Sequence, residues 1–333
     1  MSIKFGIIGA GRIGKIHAQN IFFHPKCSIS KVYDINTKSS NDLAKKFNAK
    51  ITLKDIDIFK DKEINAILIA SSTPTHIKYL ELAHEFNKDV YCEKPIHLNL
   101  KLVDKCLTKL KGHKNKIQLG FHRRFDPSHL ELKKKLLKNK FGRIEQINLC
   151  DRDPGLPPLN YLKVSGGIFK DMTIHGLDVI RWILGEEITE VFAQGKTFVN
   201  KKLKSIPDYD TASIFLKSKS GVLCHIVNSR RHTCGFDQRV EVFCQKGSLS
   251  LKNNEKTSVV EISSKGVLHD NYPFSFIERY TNAYKLALNY FIDCIIKDID
   301  PEPTLIDGRN SLAIAEALTL SAKTSNKIKV KLK

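Results

Sequence analysis

The first 121 residues alternate between short apolar runs and amphipathic stretches. Residues 3–8 (IKFGII), 66–70 (AILIA), 89–92 (DVYC) and 116–121 have the character of strands buried on both faces, and 28–33 add another. Between them, residues 15–23, 37–47, 75–86 and 99–110 carry apolar positions at helical spacing. Strands and helices in strict alternation predict right-handed βαβ units and a parallel sheet. From residue 143 the pattern changes to period two. Residues 143–149 (RIEQINL), 209–216 (YDTASIFL), 222–229 (VLCHIVNS), 239–244 (RVEVFC) and 247–251 read as strands with one face on a core and one outside. A helix over 167–184 interrupts them, and a last helix over 308–325 is expected to pack back on the first domain. The expected class is α/β. A doubly wound parallel sheet occupies residues 1–121, and an α+β domain with an open, mainly antiparallel sheet occupies 122–333. The outer face of that second sheet is a candidate subunit interface.

The first candidate chemistry sits where the first strand meets its helix. Gly9-Ala10-Gly11-Arg12-Ile13-Gly14 is a G-x-G-x-x-G in the required context, with a strand before it and a helix after. Gly9 suits a tight turn, Gly11 lets the backbone approach a pyrophosphate, and Gly14 lets helix and strand pack closely. The phosphates then rest on the helix N-terminus, with Arg12 and Ile13 beside them. Asp34 follows the second strand, twenty positions after Gly14, where an acid binds the adenosine ribose hydroxyls. Together these mark a Rossmann dinucleotide-binding domain. A carboxylate at 34 repels a 2′-phosphate, so NAD is the expected cofactor; NADP is the alternative that Lys38 and Arg12 leave open. Two further loops follow strands and belong on the ligand rim. They make Ser72, Thr73, Pro74, His76, Glu93 and Lys94 candidate cofactor contacts.

The interrupting helix holds the second candidate site. Asp171, His175 and Asp178 stand at i, i+4 and i+7, which puts them on one helical face. An imidazole with an ordinary pKa of roughly 6.5 suits proton removal near neutrality, and a carboxylate one turn away holds its tautomer. The same spacing also serves plain helix stabilisation. Lys94 on the cofactor rim raises the catalytic reading, with Lys94, Asp171 and His175 as the candidate machinery. Arg123, Asp153 and Asn228 are additional candidate substrate contacts.

Composition narrows the alternatives. Lys and Arg number 55 against 35 Asp and Glu, so 55 − 35 gives a net charge of +20. The excess is spread along the chain, and its densest piece, 131–140 (ELKKKLLKNK), has the spacing of a helix with a solvated basic face. No zinc-finger, RNP or basic-zipper pattern accompanies it, so nucleic acid is not an expected partner. No apolar run reaches the roughly 20 residues that span a bilayer, so no membrane association is expected. The N-terminus enters a strand with no targeting pattern, and eight cysteines include no CxxC pair. Free thiols in the cytoplasm and no metal site are the expectation.

Several motifs together point to a family. GAGRIG (9–14), STPTH (72–76), EKP (93–95), GFHRRFD (120–126), YLKVSGGIFKDMTIH (161–175), DQRVEVF (237–243) and ERY (278–280) run through nearly the whole chain. On these the chain resembles the glucose–fructose oxidoreductase / inositol dehydrogenase (Gfo/Idh/MocA) family, and its inositol dehydrogenase branch most closely. The resemblance implies that NAD⁺ binds first and a polyol then enters a cleft between the domains. It implies His175 as general base, Asp171 as its orienting carboxylate and a hydroxyl contact, and Lys94 as the cation on the reacting oxygen. It also implies oligomers, commonly tetramers, built through the open sheet face. Two departures stand out. Gly176 replaces the Asp that this branch tends to carry after the catalytic His, and Cys234-Gly235-Phe236 stands where tyrosines are usual. Lost hydroxyl partners alter selection among polyols, so another cyclitol or a pyranose is the alternative substrate. A regulator that binds NAD without turnover is the alternative of a different class.

Overall fold

The alternating N-terminal pattern folds as a six-stranded, all-parallel sheet in the computed structural model, which describes residues 2–200, 203 and 205–332. Its elements are β1 (Ile3–Ile8), α1 (Arg12–Phe22), β2 (Cys27–Tyr33), α2 (Thr37–Lys46), β3 (Lys50–Ile51), α3 (Ile56–Lys60), β4 (Ala66–Ile69), α4 (His76–Glu85), β5 (Asp89–Cys92), α5 (Leu100–Lys109) and β6 (Ile117–Leu119). The strand order is β3-β2-β1-β4-β5-β6, so the winding reverses between β1 and β4. At that reversal the loops after neighbouring strands diverge and leave a crevice, which is where ligands of such sheets bind. Every residue of β4 is buried, as its unbroken apolar run required.

The second half builds a seven-stranded mixed sheet. It contains α6 (Pro127–Leu137), β7 (Ile144–Arg152), α7 (Leu159–Leu162), a π-helical turn (Phe169–Thr173), α8 (Ile174–Leu184), β8 (Ile188–Lys196), β9 (Thr211–Ser218), β10 (Leu223–Ser229), β11 (Asp237–Cys244) and β12 (Gly247–Leu251). A separate hairpin, β13 (Val260–Ser263) with β14 (Gly266–His269), precedes α9 (Phe276–Lys297), α10 (Leu305–Thr324) and β15 (Ile328–Lys329). The order is β12-β11-β7-β10-β9-β8-β15. All its pairings are antiparallel except β7 with β10, whose carboxyl ends therefore lie side by side. Period-two burial holds along β9, where Ala212, Ile214 and Leu216 face the core and Phe215 faces out.

The chain divides into two units, residues 1–125 with 282–309, and 126–281 with 310–333. The first unit thus extends beyond residues 1–121. The last helix, α10, expected to pack back on the first domain, does so only at its start, where residues 305–309 belong to the first unit and a Cβ on Gly308 would meet Leu119 and Ile96. Ile314, Ala315 and Leu318 of α10 sit in the second unit's core beside Ile147, Leu177 and Ile214. The helix that completes the first unit is α9, whose Ala287, Leu288, Phe291 and Ile292 pack with Phe5, Ile7, Leu68 and Tyr91. An apolar face carries no label of the sheet it seeks, so both sheets were open to both helices.

Candidate active site

In the first unit the glycine loop closes as its spacing required. Gly9 has φ of +102°, and a Cβ there would strike the backbone of Ala70 at the end of β4. A Cβ on Gly14 would strike the carbonyl oxygen of Gly9, so α1 leaves β1 with no room for a side chain. A Cβ on Gly11, the residue that caps α1, would meet nothing within 4 Å. Tight packing on two sides and open space on the third make a cradle over a helix N-terminus, which suits a pyrophosphate. Asp34 borders it: Oδ2 accepts from Ala10 N–H at 2.6 Å and Oδ1 from Asn36 N–H at 2.8 Å. One acceptor direction remains on each oxygen for ribose hydroxyls. Ile35 is exposed and Asn36 is occupied as the cap of α2, so no guanidinium comes directly after the acid to receive a 2′-phosphate. The residues present fit NAD.

The two rim loops differ from expectation in what their side chains do. Ser72 precedes the single 3₁₀ turn Thr73–Thr75 ahead of α4, which carries Thr73 and Pro74 at the sheet's carboxyl edge. His76, expected to contact cofactor, is buried, its ring nitrogens 2.8 Å from Pro95 O and 3.0 Å from Ser71 O. It ties the loop after β4 to the loop after β5, and burial holds its pKa below the ordinary value against those two carbonyls. Glu93 is likewise turned inward, 2.8 Å from His17 Nε2 on α1, against Gly120, where a Cβ would come within 2.9 Å of the carboxylate. Its side chain anchors the loop on the cofactor helix, and Lys94 is the next residue, joined to Pro95 by a cis peptide. Arg123 belongs to this unit too, on a buried 3₁₀ turn over His122–Phe125.

In the second unit Gly166 and Gly167, both at positive φ, launch the interrupting helix. It begins as the π turn Phe169–Thr173 before α8 takes over at Ile174. Asp171 lies within that turn and His175 just past it, so the regular helical spacing expected across Asp171, His175 and Asp178 is interrupted by a π turn ahead of His175. A π turn bonds i to i+5 and rotates the helix beyond it; Asp178 ends up 1% exposed inside the unit. Two donors take the carboxylate of Asp171: Tyr161 O–H reaches Oδ1 at 2.7 Å and Arg230 Nη2 reaches Oδ2 at 3.2 Å. Asn228, a candidate substrate contact, is 2% exposed; its Oδ1 accepts from Thr173 Oγ1 at 2.6 Å and its Nδ2 donates to Asp151 O at 3.2 Å. It braces the π turn from the sheet. Asp153 lies at the same sheet end, its N–H donating to Ser229 O at 2.8 Å. Tyr161, Thr173 and Arg230, whose hydrogen bonds support Asp171 and the π turn, were not among the expected site residues. Tyr161 and Thr173 lay inside a motif already marked, whereas Arg230, fifty-nine residues from Asp171, had no local signal.

The two departures also acquire meaning. A Cβ on Gly176 would lie 3.4 Å from Leu149 Cδ2 and 3.5 Å from Ile226 Cδ1, so this position faces the apolar side of the sheet rather than a polar wall. Gly235 has φ of +109°, and a Cβ there would come 2.6 Å from Tyr272 O, while Phe236 is buried edge-on to Tyr280. Among the described residues no group of three His, Cys, Asp or Glu side chains is placed to hold a metal ion, and no helix is long and apolar enough to cross a membrane.

Comparison with known proteins agrees with this geometry. Residues 3–121 match the family described as "Oxidoreductase family, NAD-binding Rossmann fold", and residues 129–250 match "GFO/IDH/MocA C-terminal domain". The chain is 35% identical over 331 residues to an inositol 2-dehydrogenase of Rhizobium meliloti, covering 99% of this chain and 100% of that one. The structure of a myo-inositol dehydrogenase from Corynebacterium glutamicum superposes with a TM-score of 0.96 at 34% identity, covering 100% of both chains. A scyllo-inositol dehydrogenase from Lactobacillus casei, solved with NAD(H) and scyllo-inositol, superposes with a TM-score of 0.93 at 28% identity, with 99% of each chain covered. A glycine cradle with its acid in one unit and a braced Asp–His segment in the other, over a full-length match, place this chain in the GFO/IDH/MocA family of NAD-dependent oxidoreductases.

Proposed function

We propose that this protein is an inositol 2-dehydrogenase that oxidises myo-inositol to 2-keto-myo-inositol with NAD⁺. The observation that carries this reading is the 35% identity along 99% of the chain to an inositol 2-dehydrogenase, joined to a segment bearing Asp171 and His175 whose carboxylate is already oriented by two donors. NAD⁺, when bound, accepts the hydride that leaves the carbinol carbon. His175 takes the proton of the reacting hydroxyl as general base. Asp171 orients His175 and accepts a hydrogen bond from a neighbouring hydroxyl. Lys94 donates to the reacting oxygen and stabilises the negative charge that grows there as the proton leaves. Arg123 and Asp153 are additional substrate contacts in this reading. The glycine loop over 9–14, Asp34 and the loop over 72–74 hold the dinucleotide.

The test is the appearance of NADH absorbance when purified protein, NAD⁺ and myo-inositol are mixed, with scyllo-inositol, other inositols and hexoses in parallel. Flat traces across the panel refute the dehydrogenase reading; a strong preference for another polyol shifts the substrate but keeps the chemistry. Lys94→Ala and His175→Ala should each abolish turnover and leave NADH affinity within a few-fold, since neither residue is assigned to holding the dinucleotide's phosphates or ribose. The outward face of the second sheet, with Phe215, Leu223 and Phe243 exposed, supports a homo-tetramer built through that face. Eight unpaired cysteines support a reducing, cytoplasmic setting.

A further inference from the structure

Arg230 is among the largest fully buried side chains of the protein, 0% exposed, at the carboxyl end of β10. An unpaired buried cation costs several kcal/mol, so the fold must supply carboxylates around it. Three come near in sequence or space. Asp210 is engaged elsewhere: its carboxylate accepts from the N–H groups of Phe198 and Val199 at 2.8 and 2.7 Å and from the Thr211 hydroxyl, while only its backbone oxygen meets Arg230 N–H. Asp208 feels the charge of Arg230 across space while its Oδ1 accepts from Ile168 N–H and Tyr209 N–H, each at 2.7 Å. Asp171 is hydrogen-bonded to the guanidinium directly, at 3.2 Å.

This arrangement has a direction. Ile168 is the residue from which the π turn departs, so Asp208 holds the start of the turn and Arg230 lies between that anchor and Asp171 within it. Of Tyr161 and Arg230, which both donate to Asp171, Tyr161 is 47% exposed and Arg230 is wholly enclosed. The exposed donor can give way to a substrate hydroxyl; the enclosed one cannot. We propose that Arg230 is a positioning residue for the oxidation, a buried cation that fixes the Asp171 carboxylate on the π turn so that it meets His175 and the polyol in one orientation. The assignment rests on the dehydrogenase reading above for the reaction it serves, and on the geometry of this unit for the role itself.

Two substitutions in the full-length protein test it. Arg230→Gln removes the charge, and misplacing a reacting group by about 1 Å costs on the order of 100-fold, so kcat with myo-inositol falls by about that factor. Arg230→Lys keeps the charge but loses the planar fork, and its kcat falls by roughly tenfold, midway on that scale. NADH affinity, read by fluorescence, stays at the wild-type value in both, because the dinucleotide cradle lies in the other unit. A Gln or Lys variant as fast as wild type overturns the proposal. Equal losses in the two variants, matched by equal losses of NADH affinity, mark a purely structural role and overturn it as well. If the Gln variant does not fold, the Lys variant alone decides between these outcomes. A crystal structure of the Gln variant gives a readout that needs no turnover: an Asp171 carboxylate in its original place, with the Arg230 charge gone, sinks the inference whatever substrate the wild-type enzyme takes. Failure of the function reading shows instead in the wild type, as absence of NADH from every inositol.

Discussion

Asp237 illustrates how much of this protein's electrostatics is settled by single side chains. Burial pushes its carboxyl up, but hydrogen bonds from Arg239, Asn253 and Cys150 outweigh that and bring its pKa down to about 2. A carboxyl whose folded pKa lies below the unfolded value adds stability that is complete above the unfolded pKa near 3.9 and lost as pH falls toward 2. The difference corresponds to about 2 kcal/mol. Asp237→Asn should therefore show a urea midpoint less sensitive to pH between 4 and 2 than wild type has, measured by circular dichroism; identical slopes contradict the assignment. Asp34 makes a different prediction. Removing a charged hydrogen-bond acceptor costs about 1.5–3 kcal/mol, so Asp34→Ala should raise KM for NAD⁺ by about 10- to 100-fold and narrow the gap to NADP⁺ in initial-rate assays. The place of Asp34 beside the glycine loop was legible in the sequence because its spacing from a glycine motif is fixed by one βαβ unit. His76 and Glu93 were legible as loop residues but not in orientation, since their partners Pro95, Ser71 and His17 come from other elements.

At the scale of elements, the helix over 167–184 was readable as a helix and its first turn was not. A π turn inserts one residue into an otherwise regular repeat, and the sequence around it keeps its apolar content. What marks the turn physically is the support it draws: Thr173 Oγ1 lies 2.6 Å from Asn228 Oδ1 and 3.2 Å from Ile168 O, two acceptors within reach of its one hydrogen. Thr173→Val keeps the shape and removes that donor. It should destabilise the protein by about 1–3 kcal/mol through the buried Asn228 oxygen, while Thr173→Ser should restore the loss. Differential scanning calorimetry distinguishes them, and equal melting temperatures for Val and Ser dismiss the brace. Five of the seven strands of the second sheet were readable for the opposite reason, because period-two burial survives even where the partner strand is distant in sequence, as for β10 beside β7, whereas β8 and the two-residue β15 were not expected.

For the whole molecule, the surplus of 20 positive charges says little about partners, and the lysine to which the proposed mechanism gives a role is the one next to Glu93. The division into units matters more. Phe291 is 0% exposed and its ring lies 6.4 Å from that of Phe5 and 5.8 Å from that of Tyr91. Truncating such a ring to alanine costs about 3–5 kcal/mol. Phe291→Ala should thus lower the melting temperature of the unit that binds NAD and weaken protection of it by added NADH, both visible in a thermal shift assay. A fragment of residues 1–121 alone exposes the face that α9 covers and is expected to be insoluble or unfolded. A soluble, NADH-binding fragment of that length contradicts the assignment of α9 to this core.

The return of α9 to the first sheet also sets a timetable for synthesis. A ribosome adds about 5–20 residues per second, so the stretch of roughly 170 residues between β6 and Ile292 occupies on the order of ten seconds or more. Through that interval the nascent parallel sheet has all its strands but not the helix that covers Phe5 and Tyr91. The apolar face it presents is a natural substrate for a chaperone that binds chains during translation, and slowing elongation after residue 121 should lengthen that engagement.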